Sequence, residues 1–127
     1  DMNDHGYFGQ INSIRDVSAV TAACMMVKKD VYEKMNGLDE ENLAVAFNDV
    51  DFCLRLREEG YLIVYTPYAV LYHHESLTRG YDVNLTEDFY IRRRHQSILA
   101  NGDPYYNKNL SRERFDFSLK AKDMIQE

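Results

Sequence analysis

Residues 17–27, V-S-A-V-T-A-A-C-M-M-V, constrain the fold most, because eleven consecutive positions carry no charge and most are small. A run of this kind is covered on both sides, which suits a strand inside a sheet or a core helix. Either way, neighbouring elements pack closely against it. With the strand reading, the rest of the chain supplies the layers around it.

Asp30 and Glu33 have capping-box spacing, so a short helix is expected to run to Met35 and stop at Asn36-Gly37, where glycine reaches the left-handed region. Asp39-Glu40-Glu41 opens a loop ending at Asn48, a suitable N-cap for a helix over residues 49–59. Val50, Cys53 and Leu54 share one face of that helix at i, i+3 and i+4, and Gly60 ends it. Residues 61–65, Y-L-I-V-Y, read as a strand bounded by Gly60 and Pro67, and residues 69–72 read as a second short one. Asn84 and Glu87 signal a further helix reaching Ala100, stopped by Asn101-Gly102. Residues 1–16 form an irregular lead-in, and residues 103–127 a turn-rich, charged tail across the surface. The order strand, helix, helix, strand, strand, helix predicts a single α/β unit with a mixed sheet and flanking helices.

With 21 acids against 15 bases, the net charge of −6 excludes a nucleic-acid binder held mainly by phosphate contacts. No apolar run approaches the roughly 20 residues that span a bilayer, and no basic segment followed by an apolar one opens the chain. Cys24 and Cys53 lie among apolar residues outside any C-x-x-C pair and read as reduced core thiols, which fits a cytoplasmic protein. The chain starts at Asp1 with residues that look like mid-protein sequence, so a piece of something longer is expected.

Reactive groups gather at three element ends: at residues 39–41, at Asn48-Asp49-Val50-Asp51, and at His73-His74-Glu75-Ser76. Ligands of open α/β sheets bind outside strand termini, which favours one shared site. Asp49 suits a general base, although spacing alone favours a first-turn acid that complements the helix dipole. Asp49 and Asp51 form a literal D-x-D, but i and i+2 diverge on a helix and do not converge on one ion. His73 and His74 are adjacent and face opposite ways on an extended chain, so one imidazole with carboxylates and phosphate oxygens would suit Mn²⁺ or Mg²⁺ better than zinc. Arg79 is either a phosphate fork or a solvated turn residue. Arg92-Arg93-Arg94-His95, the one basic cluster, reads as a solvated helix face or as a contact for anionic lipid headgroups.

In order, A-V-T-A-A-C-M-M-V, N-G-L-D-E, A-F-N-D-V-D-F-C-L-R-L-R-E-E-G-Y, T-P-Y-A-V-L-Y-H-H-E-S-L-T-R-G and D-P-Y-Y-N-K-N-L resemble the C-terminal half of family 2 glycosyltransferases, in particular bacterial O-antigen and rhamnan-type sugar transferases. The resemblance implies the C-terminal portion of a GT-A fold, in which an N-terminal half binds the nucleotide-sugar and this half completes the catalytic centre. It implies Asp49 as catalytic base and His73 as metal ligand, the latter in a P-x-A-x-x-x-H pattern with Pro67 and Ala69. It places His74, Glu75, Ser76 and Arg79 near the donor diphosphate, Asp39 on the acceptor side, and Thr21, Ala22 and Ala23 beside the sugar pocket. Asp51 is grouped with these substrate-binding residues. Two departures stand out. Asn48 replaces the usual acid before the base, which lessens like-charge crowding, and Asn36 replaces the first of two glycines.

The implied function is inverting sugar transfer from a nucleotide-diphospho-sugar to a glycan or lipid-linked acceptor in polysaccharide biosynthesis. A divalent cation (Mn²⁺ or Mg²⁺) would bind a site that is incomplete in this chain, and the location would be cytoplasmic or peripheral at the inner membrane face. Without a donor-binding half the chain alone would be inactive, and its open sheet edge would favour self-association. The alternatives are a noncatalytic carbohydrate- or partner-binding module and a metal hydrolase using His73, His74 and nearby acids.

Overall fold

A computed structural model describes residues 5–72, 85–114 and 116–120. After a 3₁₀ turn, Tyr7–Asn12, the elements are β1 (Arg15–Val17), a second 3₁₀ turn (Ala22–Cys24), α1 (Lys29–Lys34), α2 (Asn48–Glu58), β2 (Ile63–Tyr65), α3 (Leu85–Arg94) and α4 (Gln96–Asn101). β1 and β2 pair antiparallel with Arg15 opposite Tyr65, Asp16 opposite Val64 and Val17 opposite Ile63. This mixture of helices with a small two-stranded sheet is compatible with an α/β fold.

The core forms where α2 meets β2. Phe52, Cys53, Leu56 and Ile63 are buried together, and Val17, Ala19, Val20, Met25, Val27, Val31 and Met35 pack around them. Five residues of the uncharged run, Val17, Ala19, Val20, Met25 and Val27, line the core, but the run is neither a strand nor covered on both sides, since residues 21–24 and Met26 are exposed. Only Val17 belongs to β1, the T-A-A-C segment turns, and Met26 is fully exposed. Cys53 is a core thiol whose burial pushes its pKa up, which makes it a poor nucleophile. Cys24 corrects the expectation of two core thiols, because it is exposed on the turn.

α1 ends as its sequence predicts: Asn36 and Gly37 both have positive φ, and a Cβ on Gly37 would meet the Tyr32 ring at 2.9 Å. Arg55 of α2 donates to the carbonyls of Met35 and Gly37, supplying partners to groups left open at the helix end.

Six other expectations are corrected. The lead-in is not irregular throughout, since Tyr7–Asn12 form a 3₁₀ turn and Arg15 and Asp16 belong to β1. Asp30 and Glu33 form no capping box, because Lys28 is the N-cap of α1 and no side chain caps it. Asn48 is not the N-cap of α2. Phe47 takes that place with left-handed backbone (φ 63°, ψ 1°), and no side chain caps the turn. Residues 69–72 form no strand; Val70, Leu71 and Tyr72 are exposed beyond the Pro67 turn. The helix expected to reach Ala100 breaks at His95 (φ −107°, ψ 29°), whose ring is anchored to α2. The C-terminal segment is more than a surface tail, since Leu110 is buried and bridges Leu119 while the Ser111 N–H donates to the Ser118 carbonyl.

Candidate active site

α2 projects its two first-turn aspartates to different neighbours, as a helix must at i and i+2. Asp49 faces the turn at Ala22–Cys24. The Ala22 N–H donates to Asp49 Oδ2 at 3.0 Å, and the Val50 N–H donates to Oδ1 at 2.8 Å. Thr21 Oγ1 accepts from the Ala23 N–H at 3.4 Å, so the neighbouring Ala22 N–H remains for the carboxylate. Each Asp49 oxygen accepts one backbone N–H and keeps a second lone pair for a proton or a hydroxyl. The structure thus brings Asp49 together with Thr21, Ala22 and Ala23. Asp49 is partly exposed.

Asp51 is fully buried, and its oxygens are taken. Arg55 Nε lies 2.7 Å from Oδ2, while Arg94 Nε and His95 Nε2 lie 3.0 and 2.8 Å from Oδ1. His95 Nδ1 is 3.4 Å from Glu58. This corrects the grouping of Asp51 with the substrate-binding residues, because the carboxylate holds three elements together and has no face toward solvent.

Asp39 sits at the other end of the same network. Tyr90 donates its hydroxyl hydrogen to Asp39 Oδ2 at 3.0 Å, and Arg94 Nη1 donates to the Tyr90 oxygen at 2.9 Å. The Asn42 N–H, which also donates to Asp39, is the main cause holding the Asp39 carboxyl below its ordinary value. Asp39, Asn42, Arg55, Tyr90 and Arg94 line an open groove of about 960 Å³. Asp49 does not line that groove, nor the apolar cavity of about 500 Å³ formed by Leu54, Ile98, Tyr106, Phe117 and their neighbours.

His73, His74, Glu75, Ser76 and Arg79 lie outside the described residues. Among the described residues, no group of three or more His, Cys, Asp or Glu side chains is placed to hold a metal ion. Arg92, Arg93 and Arg94 are exposed, as a solvated helix face predicts, with Arg92 paired to Asp88 at 2.8 Å and Arg94 reaching Asp51, whereas His95 is buried.

Sequence reasoning missed Glu87. Its spacing from Asn84 signals only a helix cap, whereas its carboxylate accepts from the Val45 and Ala46 N–H groups at 3.1 and 2.6 Å. Glu87, Ile91 and His95 are all buried and recur at i, i+4 and i+8. The covered stripe of α3 is thus two-thirds polar, so a search for apolar periodicity passes over it. The loop that Glu87 grips leads into Phe47, a non-glycine residue in left-handed backbone that costs about 1–2 kcal/mol.

No family model and no solved structure matches the chain. Among curated proteins, it is 42% identical over 122 residues to the uncharacterized protein y4gI of Sinorhizobium fredii, covering 91% of the chain and 13% of that protein. It is 34% identical over 115 residues to the O-antigen biosynthesis protein RfbC of Myxococcus xanthus, covering 89% of the chain and 9% of RfbC. It is 33% identical over 70 residues to the N-acetylglucosaminyl-diphospho-decaprenol L-rhamnosyltransferase of Mycobacterium tuberculosis, covering 55% of the chain and 22% of that enzyme. The chain therefore spans less than a quarter of the length of each of these relatives. The matches support a glycosyltransferase-like relationship over that part. No helix among the described residues is long and apolar enough to cross a membrane.

Proposed function

We propose that this chain is the acceptor-side part of an inverting sugar transferase of the GT-A type, acting from a nucleotide-diphospho-sugar on a glycan or lipid-linked acceptor in polysaccharide synthesis. The observation that carries the reading is the Asp49 carboxylate, held at the surface end of α2 by the Ala22 N–H with lone pairs to spare. In the proposed step the acceptor oxygen attacks the anomeric carbon and the carbon–oxygen bond to the diphosphate breaks. The electron pair leaves with the nucleoside diphosphate, and Asp49 receives the hydroxyl proton. Charge on the departing diphosphate is what a divalent cation with His73 among its ligands would neutralise. His74, Glu75, Ser76 and Arg79 are assigned to the donor side, and a cytoplasmic site at the inner membrane face fits such an acceptor.

The test is an assay of the full-length protein with UDP-, dTDP- and GDP-sugars and a lipid-linked glycan acceptor. Acceptor-dependent release of nucleoside diphosphate is expected from at least one donor. No acceptor-dependent release from any of them would count against the proposal. His73→Ala is expected to raise the Mn²⁺ concentration needed for half-maximal rate, and an unchanged Mn²⁺ dependence would reject the metal assignment.

A further inference from the structure

We propose that Glu87 is a positioning residue for Asp49, an inference that rests on reading Asp49 as the base. α3 and the His95 junction that follows it meet the chain around the start of α2 at two points that bracket Asp49 in sequence. On one side, Glu87 accepts the N–H groups of Val45 and Ala46; on the other, His95 meets Asp51. Between them Phe47 holds left-handed backbone while its carbonyl accepts the Asp51 N–H at 2.8 Å, the first hydrogen bond of α2. Such a backbone state persists only where its surroundings over-determine it. A single buried carboxylate accepting two successive amides provides that restraint. Once the grip is released, Phe47 relaxes toward ordinary backbone and the first turn of α2 re-aims. Asp49 then leaves the Ala22 N–H, and displacement of a reacting group by about 1 Å can cost 10²-fold in rate.

The experiment compares wild type, Glu87→Gln and Glu87→Ala in the full-length protein. Glutamine keeps one acceptor oxygen and loses the other, so it guards against an alanine variant that fails to fold. The expected result is a kcat reduced about 10- to 100-fold in Glu87→Ala, with KM within about twofold and Glu87→Gln between the two. Hydrogen exchange read by mass spectrometry is expected to rise in peptides covering residues 43–47 and 20–24, and to stay at wild-type levels in peptides from the core of α2. Unchanged exchange at 43–47 and 20–24 in both variants would overturn the proposal. Wild-type kcat in both would also overturn it, provided that Asp49→Asn has lost turnover. Should Asp49→Asn retain turnover, the base reading falls, and exchange at 20–24 alone decides whether Glu87 places the Asp49 carboxylate.

Discussion

Asp51→Ala is expected to destabilise the protein by about 3–5 kcal/mol, the range found when one member of a buried ion pair is removed. The carboxylate is fully buried and faces Arg55, Arg94 and His95 at 3.0 Å or less. Arg94 is 40% exposed and regains water when the acid is lost, so it contributes little of the penalty. Arg55 and His95 are 12% and 1% exposed, and their polar groups lose a partner that water does not easily replace. The consequences reach three elements, because Arg55 also holds the end of α1 and His95 ties the α3–α4 junction to α2. Thermal unfolding of wild type and variant checks this, with a midpoint lower by on the order of 10 °C. A loss below about 1 kcal/mol would show that the network contributes no more than an exposed ion pair.

Much of the architecture was legible in the sequence, and the failures share a cause. The ends of the helices at 29–34 and 48–58 follow from local signals, an Asn-Gly stop and a glycine after the last turn, whereas neither expected N-cap is used: Lys28 and Phe47 stand there without a side-chain cap. The strand at 63–65 follows from its β-branched and aromatic residues between Gly60 and Pro67. Residues 17–27 were recognised as core lining, yet their conformation depends on Asp49 drawing the Ala22 N–H into a turn, a contact across 27 residues that no local pattern reports. Residues 69–72 have strand-like composition and no strand, because β propensity needs a paired surface to act on. At the site, resemblance implies one centre for Asp49 and residues 21–23, and the Ala22 N–H on the Asp49 carboxylate brings those two segments side by side. Glu87 and the buried role of Asp51 were hidden, because a charged residue gives no sign in sequence that tertiary contacts will bury it.

Asp49→Asn is expected to lower turnover of the full-length protein by about 10²- to 10⁴-fold, the usual loss of a general base. That range corresponds to about 3–5 kcal/mol of barrier. Asparagine is nearly isosteric and keeps one oxygen to accept an N–H, but it takes no proton from an attacking hydroxyl. Its amide nitrogen will also meet either the Ala22 or the Val50 N–H, so a local shift has to be separated from loss of the base. The pH profile separates them. A carboxylate base makes the rate rise with pH until it is ionised, and a variant without it loses that limb, whereas mere displacement lowers the whole profile and keeps its shape. The decisive measurement is therefore kcat against pH for wild type and Asp49→Asn with one nucleotide-diphospho-sugar and its acceptor. The account predicts at least a 100-fold drop together with disappearance of the acidic limb. Near-normal turnover with the limb intact would contradict it.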